Sequence, residues 1–132
     1  MKRVIFACVH SAGRSQMAAA FFNSIADPAK AVAISAGTQP GERVHPEVLA
    51  VMGEAGIDLS GARPRKLTPE LAQGTTLLVT MGCGDECPFI PGKRYVDWDL
   101  PDPAGQRLER VREIRDDIRE RVRALVAAER WN

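Results

Sequence analysis

A short segment near the start of the chain places a cysteine at the end of a buried strand and an arginine at the start of a helix. Residues 4–9 are apolar throughout, which predicts a strand over residues 3–9 that is covered on both faces. Small residues follow Cys8, and a helix is predicted over residues 15–26. Such a loop aims backbone N–H groups inward, and Arg14 adds a planar fork for two oxygens. The segment therefore predicts a binding site for a tetrahedral oxyanion.

The positive field of this loop also acts on the sulfur. It favours the thiolate of Cys8 over the thiol, so Cys8 is the predicted nucleophile at neutral pH, and Ser15 can add a hydroxyl hydrogen bond to it. The alternative is that Cys8 is an ordinary strand residue and that Gly13 and Arg14 form an ordinary turn. That alternative does not explain the ordered series of cysteine, small-residue loop, arginine and helix. The predicted oxyanion-binding residues are Val9, His10, Ser11, Ala12, Gly13, Arg14 and Ser15.

Composition limits the partners of the chain. Its 132 residues fit a single domain over residues 1–132. With 18 basic and 17 acidic residues the net charge is +1, which attracts neither nucleic acid nor an anionic membrane. No apolar stretch approaches the ~20 residues of a membrane span, and the initial apolar run is too short for a secretory signal. Three cysteines fit a reducing compartment better than a disulfide framework, so we expect a cytoplasmic monomer.

Strands alternate with helices along the rest of the chain. Further strands are predicted over residues 31–36, 76–81 and, more weakly, 94–96, and further helices over 46–55, from an N-cap at Thr68 to Gln73, and over about 106–130. This alternation is typical of a parallel sheet with helices on both faces.

Two more cysteines, Cys83 and Cys87, lie in a segment that also contains Gly82, Gly84 and Pro88. A zinc site needs about four ligands, and the two histidines of the chain show no companion spacing. Packing of both cysteines as small hydrophobic residues fits poorly with a loop of this composition. The spacing therefore favours dithiol exchange over either alternative.

Four separated motifs resemble one family. They are residues 8–18, 35–38, 80–88, and Trp98 with residues 102–105, and in this order they resemble the cysteine-dependent arsenate reductases built on the low-molecular-weight tyrosine phosphatase fold. The resemblance implies a three-layer α/β/α fold with a flavodoxin-like, four-stranded parallel sheet in the order 2-1-3-4. Cys8 and Cys83 then lie at the same carboxyl edge of the sheet.

The resemblance also implies a reaction. Cys8 attacks arsenate and forms an arsenic adduct, Cys83 attacks the sulfur of Cys8 and releases arsenite, and Cys87 then moves the disulfide to Cys83. Thioredoxin is the implied reductant of that disulfide, and no cofactor or resident metal is implied.

Asp102 stands before Pro103, and in the resembling families an Asp-Pro loop closes over the anion. The resemblance assigns the Asp102 carboxyl to protonation of the departing oxygen. In this chain we expect the same carboxyl to help deprotonate Cys83 as well. Asp97 and Asp99 are nearby competitors. A helix cap is the alternative function of Asp102.

Position 11 departs from the family pattern, which has asparagine where this chain has Ser11. Asparagine tolerates left-handed backbone and braces the loop, and Ser11 can replace part of that bracing. One branch of the family binds potassium through that asparagine and two acids. The corresponding positions are Ser11, Ala19 and Arg65, so we expect no cation site here and a positive charge from Arg65 or Lys66 instead.

Two other functions compete with arsenate reduction. A tyrosine phosphatase needs Cys8, Arg14 and Asp102 but neither of the other cysteines, and it favours aromatic residues where Ala104 and Gly105 follow Pro103. A non-catalytic protein that binds arsenicals through its sulfurs needs no arginine loop.

Overall fold

The computed structural model describes residues 1–82 and 94–132, and a four-stranded parallel sheet organises them. The strands are β1 (Lys2–Cys8), β2 (Ala31–Gly37), β3 (Leu77–Thr80) and β4 (Arg94–Asp97), in the order β2-β1-β3-β4. The helices are α1 (Arg14–Ile25), α2 (Pro46–Glu54), α3 (Pro69–Ala72) and α4 (Leu108–Glu129). The expected fold class and strand order are confirmed.

Strand β1 lies at the centre because both of its faces are apolar. Its side chains alternate between the two faces of the sheet, so Val4 and Phe6 pack into the larger core with α1, α2 and α4, while Ile5 and Ala7 pack into a smaller one. The smaller core is completed by Leu67 and residues of α3 and neighbouring strands. Helices thus cover both faces, but unequally. The register pairs Ala7 with Ala36 on one side and with Thr80 on the other, so the ends of β1, β2 and β3 meet at one edge.

Helix α4 begins at Leu108, two residues later than its periodicity predicts. Its N-cap is Arg107, and the N–H of Gln106 donates to the Pro103 carbonyl in a preceding turn. Leu108, which has the spacing of a core residue, is 41% exposed because it lies in the first turn, and Val126 is buried further along. Within the described part of the chain, no helix combines the length and the apolar character needed to cross a bilayer.

Candidate active site

The loop between β1 and α1 turns its carbonyl groups outward. Each carbonyl from residue 8 to residue 13 accepts a hydrogen bond, mostly from the backbone of residues 38–45 and otherwise from α1. The donor and acceptor residues are Thr38 to Cys8 (3.3 Å), Gln39 to Val9 (2.8 Å), Gly41 to His10 (2.9 Å), Gln16 to Ser11 (2.9 Å), His45 to Ala12 (2.9 Å) and Met17 to Gly13 (3.0 Å). The loop is therefore held from outside at every peptide.

This arrangement determines where the N–H groups of the loop point. A trans peptide places its N–H opposite its carbonyl, so the N–H groups of residues 9–14 face the inside of the loop. Those of residues 9–13 have no backbone or side-chain acceptor among the described residues. The first turn of α1, including Ser15, adds the unpaired N–H groups of a helix N-terminus. We call the N–H groups of residues 9–15 the amide cradle, and it suits an anion rich in oxygen.

Two backbone features allow this loop shape. Ser11 has φ 51°, in the left-handed region that residues other than glycine rarely adopt. A Cβ on Gly37 would lie 2.6 Å from the Val9 carbonyl oxygen and 2.8 Å from the Ser11 nitrogen. Strand β2 can therefore pass this close to the loop only with glycine at its end.

A chain of hydroxyl groups ends on the sulfur of Cys8. The Ser15 hydroxyl is 2.9 Å from Cys8 Sγ and 2.7 Å from the Ser35 hydroxyl, which is also 2.7 Å from that of Ser11. All four side chains are buried. A hydroxyl donor at hydrogen-bond distance stabilises a thiolate, and Ser35 orients that donor while it anchors Ser11. Ser35 belongs to one of the four sequence motifs, but its contact with the site was not predicted from the sequence.

Arg14 enters the site from the first residue of α1. It is only 7% exposed, and its Nη1 donates to the Leu100 carbonyl at 2.9 Å. Its Nε and Nη2 atoms have no acceptor among the described residues, so two donors of the fork remain for an anion. The structure thus brings Cys8, Arg14 and Ser15 to one loop, while their catalytic roles remain predictions.

The Asp-Pro segment forms a turn against this loop. Pro103 is buried, and a Cβ on Gly13 would lie 2.9 Å from its Cγ, so the proline ring packs directly on Gly13. Asp102 is exposed, and its carboxylate accepts a hydrogen bond from the Ala104 N–H at 2.9 Å. The alternative role of Asp102 as a helix cap is wrong, because α4 begins at Leu108 with a different N-cap.

The two acids considered as alternatives to Asp102 are Asp97 and Asp99, which lie at the end of β4 and just after it. Asp97 ends β4, and its carboxylate accepts a hydrogen bond from the Thr80 hydroxyl at 2.7 Å. Asp99 is exposed. Trp98, between them, packs on Phe6 with ring centroids 5.7 Å apart, which is a core contact. Neither acid is held against the loop as the Pro103 turn is.

The other sequence-predicted features fall in two places. Cys83 and Cys87 lie outside the described residues. Ala19 and Arg65, two of the positions that correspond to a cation site, line a cavity of about 500 Å³ together with Gln16 and Ser35. None of the described residues that line this cavity is an acid. Within residues 1–82 and 94–132, no three histidine, cysteine or acidic side chains come together as metal ligands.

Known proteins share this architecture and sequence. The family described as low molecular weight phosphotyrosine protein phosphatase matches residues 3–130. The glutaredoxin arsenate reductase of Synechocystis is 35% identical over 96% of this chain and 98% of its own length. A Halobacterium salinarum protein, provisionally named an arsenate reductase, is 44% identical over 89% of this chain and 85% of its own length.

A solved structure gives the same result. The thioredoxin-dependent arsenate reductase of Corynebacterium glutamicum has a TM-score of 0.83 and 39% identity over 97% of this chain. The chain spans 61% of the length of that protein. Since the family match covers nearly every residue and the curated relatives align over most of their own length, the chain belongs to the low molecular weight phosphotyrosine protein phosphatase family, with arsenate reductases among its relatives.

Proposed function

We propose that this protein reduces arsenate to arsenite, with Cys8 as the nucleophile. The observation that carries the proposal is the buried Cys8 sulfur, 2.9 Å from the Ser15 hydroxyl and enclosed by a loop whose N–H groups face inward. A tetrahedral anion in the amide cradle presents its central atom to that sulfur. The names and identities of the Synechocystis and Halobacterium relatives support arsenate as that anion.

The first step is nucleophilic substitution at arsenic. The Cys8 thiolate forms a sulfur–arsenic bond, and one hydroxyl leaves arsenic as water after it takes a proton from the carboxyl of Asp102. The amide cradle and the free donors of Arg14 stabilise the charge on the remaining oxygens. The position of the Pro103 ring on Gly13 supports this role for Asp102, because it places the turn against the loop.

Reduction follows when a second sulfur takes the adduct apart. Cys83 attacks the Cys8 sulfur, the sulfur–arsenic bond breaks, and its electron pair stays on arsenic, which leaves as arsenite. The two sulfurs are oxidised to a Cys8–Cys83 disulfide. Cys87 then attacks Cys83 and frees Cys8 as a thiolate, so the disulfide becomes Cys83–Cys87. The presence of both cysteines in the sequence supports the relay.

The proposed reductant of the final disulfide is thioredoxin. An intramolecular disulfide is reduced by a dithiol through ordinary exchange, and the C. glutamicum relative is named for its dependence on thioredoxin. The Synechocystis relative is named for glutaredoxin, so that carrier is the necessary comparison. The proposal places a single-domain, monomeric enzyme in the cytoplasm, where thiols are kept reduced.

Two serine variants test the relay. Steady arsenite production with thioredoxin, its reductase and a nicotinamide cofactor should be lost in Cys83→Ser and in Cys87→Ser. Hydrolysis of p-nitrophenyl phosphate, which uses only the first step and water, should persist in both and be lost in Cys8→Ser. The same assay with glutaredoxin, glutathione and glutathione reductase in place of thioredoxin and its reductase identifies the carrier.

Each competing function predicts a different result. A phosphatase without reductase activity would hydrolyse the phosphate ester and release no arsenite from the wild-type protein. A protein that only binds arsenicals would show neither activity. Full turnover by Cys83→Ser would contradict the relay while leaving Cys8 as the nucleophile.

A further inference from the structure

The end of β3 brings a glycine to the guanidinium group of Arg14. The Met81 N–H donates to the Ala7 carbonyl at 2.8 Å, which extends the pairing of β3 with β1 by one residue. Met81 is buried in the core, so the backbone is fixed up to this point. Gly82 follows with φ +92°. Because β3 pairs with β1 up to this point, Gly82 lies at the same sheet edge as Cys8.

The space beside Gly82 is filled by the arginine. A Cβ built on Gly82 would overlap Arg14 Nη1 and would lie 3.2 Å from Cζ and 3.6 Å from Nη2. Nη1 is also the atom that donates to the Leu100 carbonyl. One edge of the guanidinium is therefore held between that carbonyl and the Gly82 backbone, and Nε and Nη2 are left for the anion.

We propose that Gly82 is a positioning residue for oxyanion binding, because the absence of its side chain sets where the fork of Arg14 lies. The atom that a methyl group meets here is the end of a long side chain, but it is hydrogen-bonded and buried, so the guanidinium must move to make room. This movement displaces the fork from the anion. A displacement of about 1 Å in such a group can cost on the order of 100-fold in rate.

A second glycine separates this role from simple backbone strain. Gly56 has φ +83°, similar to that of Gly82, but no atom lies within 4 Å of a Cβ built on it, and it follows α2 away from the loop. Gly56→Ala thus carries the same left-handed backbone penalty without contact to the arginine. The difference between the two alanine variants measures the contact.

The inference concerns anion binding, and it rests on the proposed function only for the identity of the substrate. Inorganic phosphate is therefore the probe, measured by calorimetric titration of the reduced protein. Gly82→Ala should bind phosphate about 10 to 100-fold more weakly than Gly56→Ala, which should match wild type within about twofold. Equal phosphate affinities in the two variants would overturn the proposal. A wild-type protein that binds phosphate but reduces no arsenate would defeat the proposed function and leave this inference standing.

A double-mutant cycle identifies the arginine as the group that is displaced. In an Arg14→Ala background the overlap is absent, so Gly82→Ala should lower the unfolding midpoint no more than Gly56→Ala does. In the presence of Arg14 it should lower the midpoint further. An equal effect of Gly82→Ala in both backgrounds would show that the glycine serves only the turn. This readout remains available if Gly82→Ala alone folds poorly, because the double variant regains stability.

Discussion

At the scale of single residues, we expect the chemistry of the site to depend on the hydroxyl of Ser15. Among the described residues it is the group that hydrogen-bonds Cys8 Sγ, and its other neighbour is the Ser35 hydroxyl. A hydroxyl has one proton to donate, so when it donates to a thiolate it accepts from Ser35. Ser35 therefore supports the donor without contact to the sulfur.

Replacement of Ser15 by alanine should slow the first chemical step. A hydrogen bond to a charged group contributes about 1.5–3 kcal/mol, which corresponds to a loss of roughly 10 to 100-fold in kcat/KM. The measurement is single-turnover formation of the Cys8 adduct or hydrolysis of p-nitrophenyl phosphate.

Ser24→Ala is the matched control for this change. Ser24 lies on the same helix and donates to the Phe21 carbonyl at 2.8 Å, away from the sulfur. Its substitution should leave kcat/KM within about twofold, because it removes a comparable hydroxyl with no path to Cys8. If the two variants were equally active, the Ser15 hydroxyl would have no part in catalysis.

At the scale of the elements, the close approach of β2 to the loop explains a requirement for glycine. Gly37→Ala places its Cβ against the Val9 carbonyl and the Ser11 nitrogen, and overpacking of this kind costs about 1–3 kcal/mol. We expect a lower urea midpoint together with a lower kcat/KM, since the strain falls on the amide cradle.

Replacement of a glycine within a helix by alanine should raise the stability of the protein. Gly53 lies in α2, and no atom is within 4 Å of a Cβ built there. Gly53→Ala should raise stability by about 0.5–1 kcal/mol, because alanine restricts the unfolded chain, and it should leave activity unchanged. Urea unfolding checks both predictions, because the free energy of unfolding should fall in Gly37→Ala and rise in Gly53→Ala.

An ion pair joins α2 to α4 and makes part of the stability depend on pH. The carboxylate of Glu54 accepts hydrogen bonds from Arg112 at 2.8 Å and from Arg115 at 3.0 Å. The hydrogen bond from Arg112, together with the charges of both arginines, holds the pKa of the Glu54 carboxyl below its ordinary value of 4.5. A lowered pKa in the folded state stabilises the protein above that ordinary value, and the contribution is lost as the pH falls through the folded value.

Glu54→Gln should therefore be less stable than wild type at pH 7, with the difference shrinking as the pH falls below 4.5. The contribution is small because the Glu54 carboxylate is exposed, and it should weaken in high salt. Glu113→Gln, which removes an exposed partner of Arg110 within α4, is the control and should show little change. If the difference in stability between Glu54→Gln and wild type stayed constant down to pH 3, the effect would come from packing and not from charge.

At the scale of the whole molecule, most of the fold could be predicted from the sequence, because β1 is apolar on both faces and helices alternate with strands. The order 2-1-3-4 came from the resemblance and not from periodicity, since β1 pairs with β3 although the two strands are not consecutive in the chain. The anion loop was predictable because its residues are consecutive. The hydroxyl of Ser35 and the donors of residues 38–45 were not predicted, because only the parallel pairing of β1 with β2 brings them to the loop.

The expected recognition surface of the loop is mostly main chain, and this sets a limit on selectivity. Peptide N–H groups and a guanidinium respond to the charge and the oxygen positions of an ion, and phosphate and arsenate are alike in both. Substitution of the side chains of residues 9–13 leaves these N–H groups in place, so in the proposed reaction discrimination falls to the later sulfur chemistry, which phosphorus does not undergo. Phosphate is then expected to compete with arsenate for the loop, so its concentration should set how much of the enzyme is free to react.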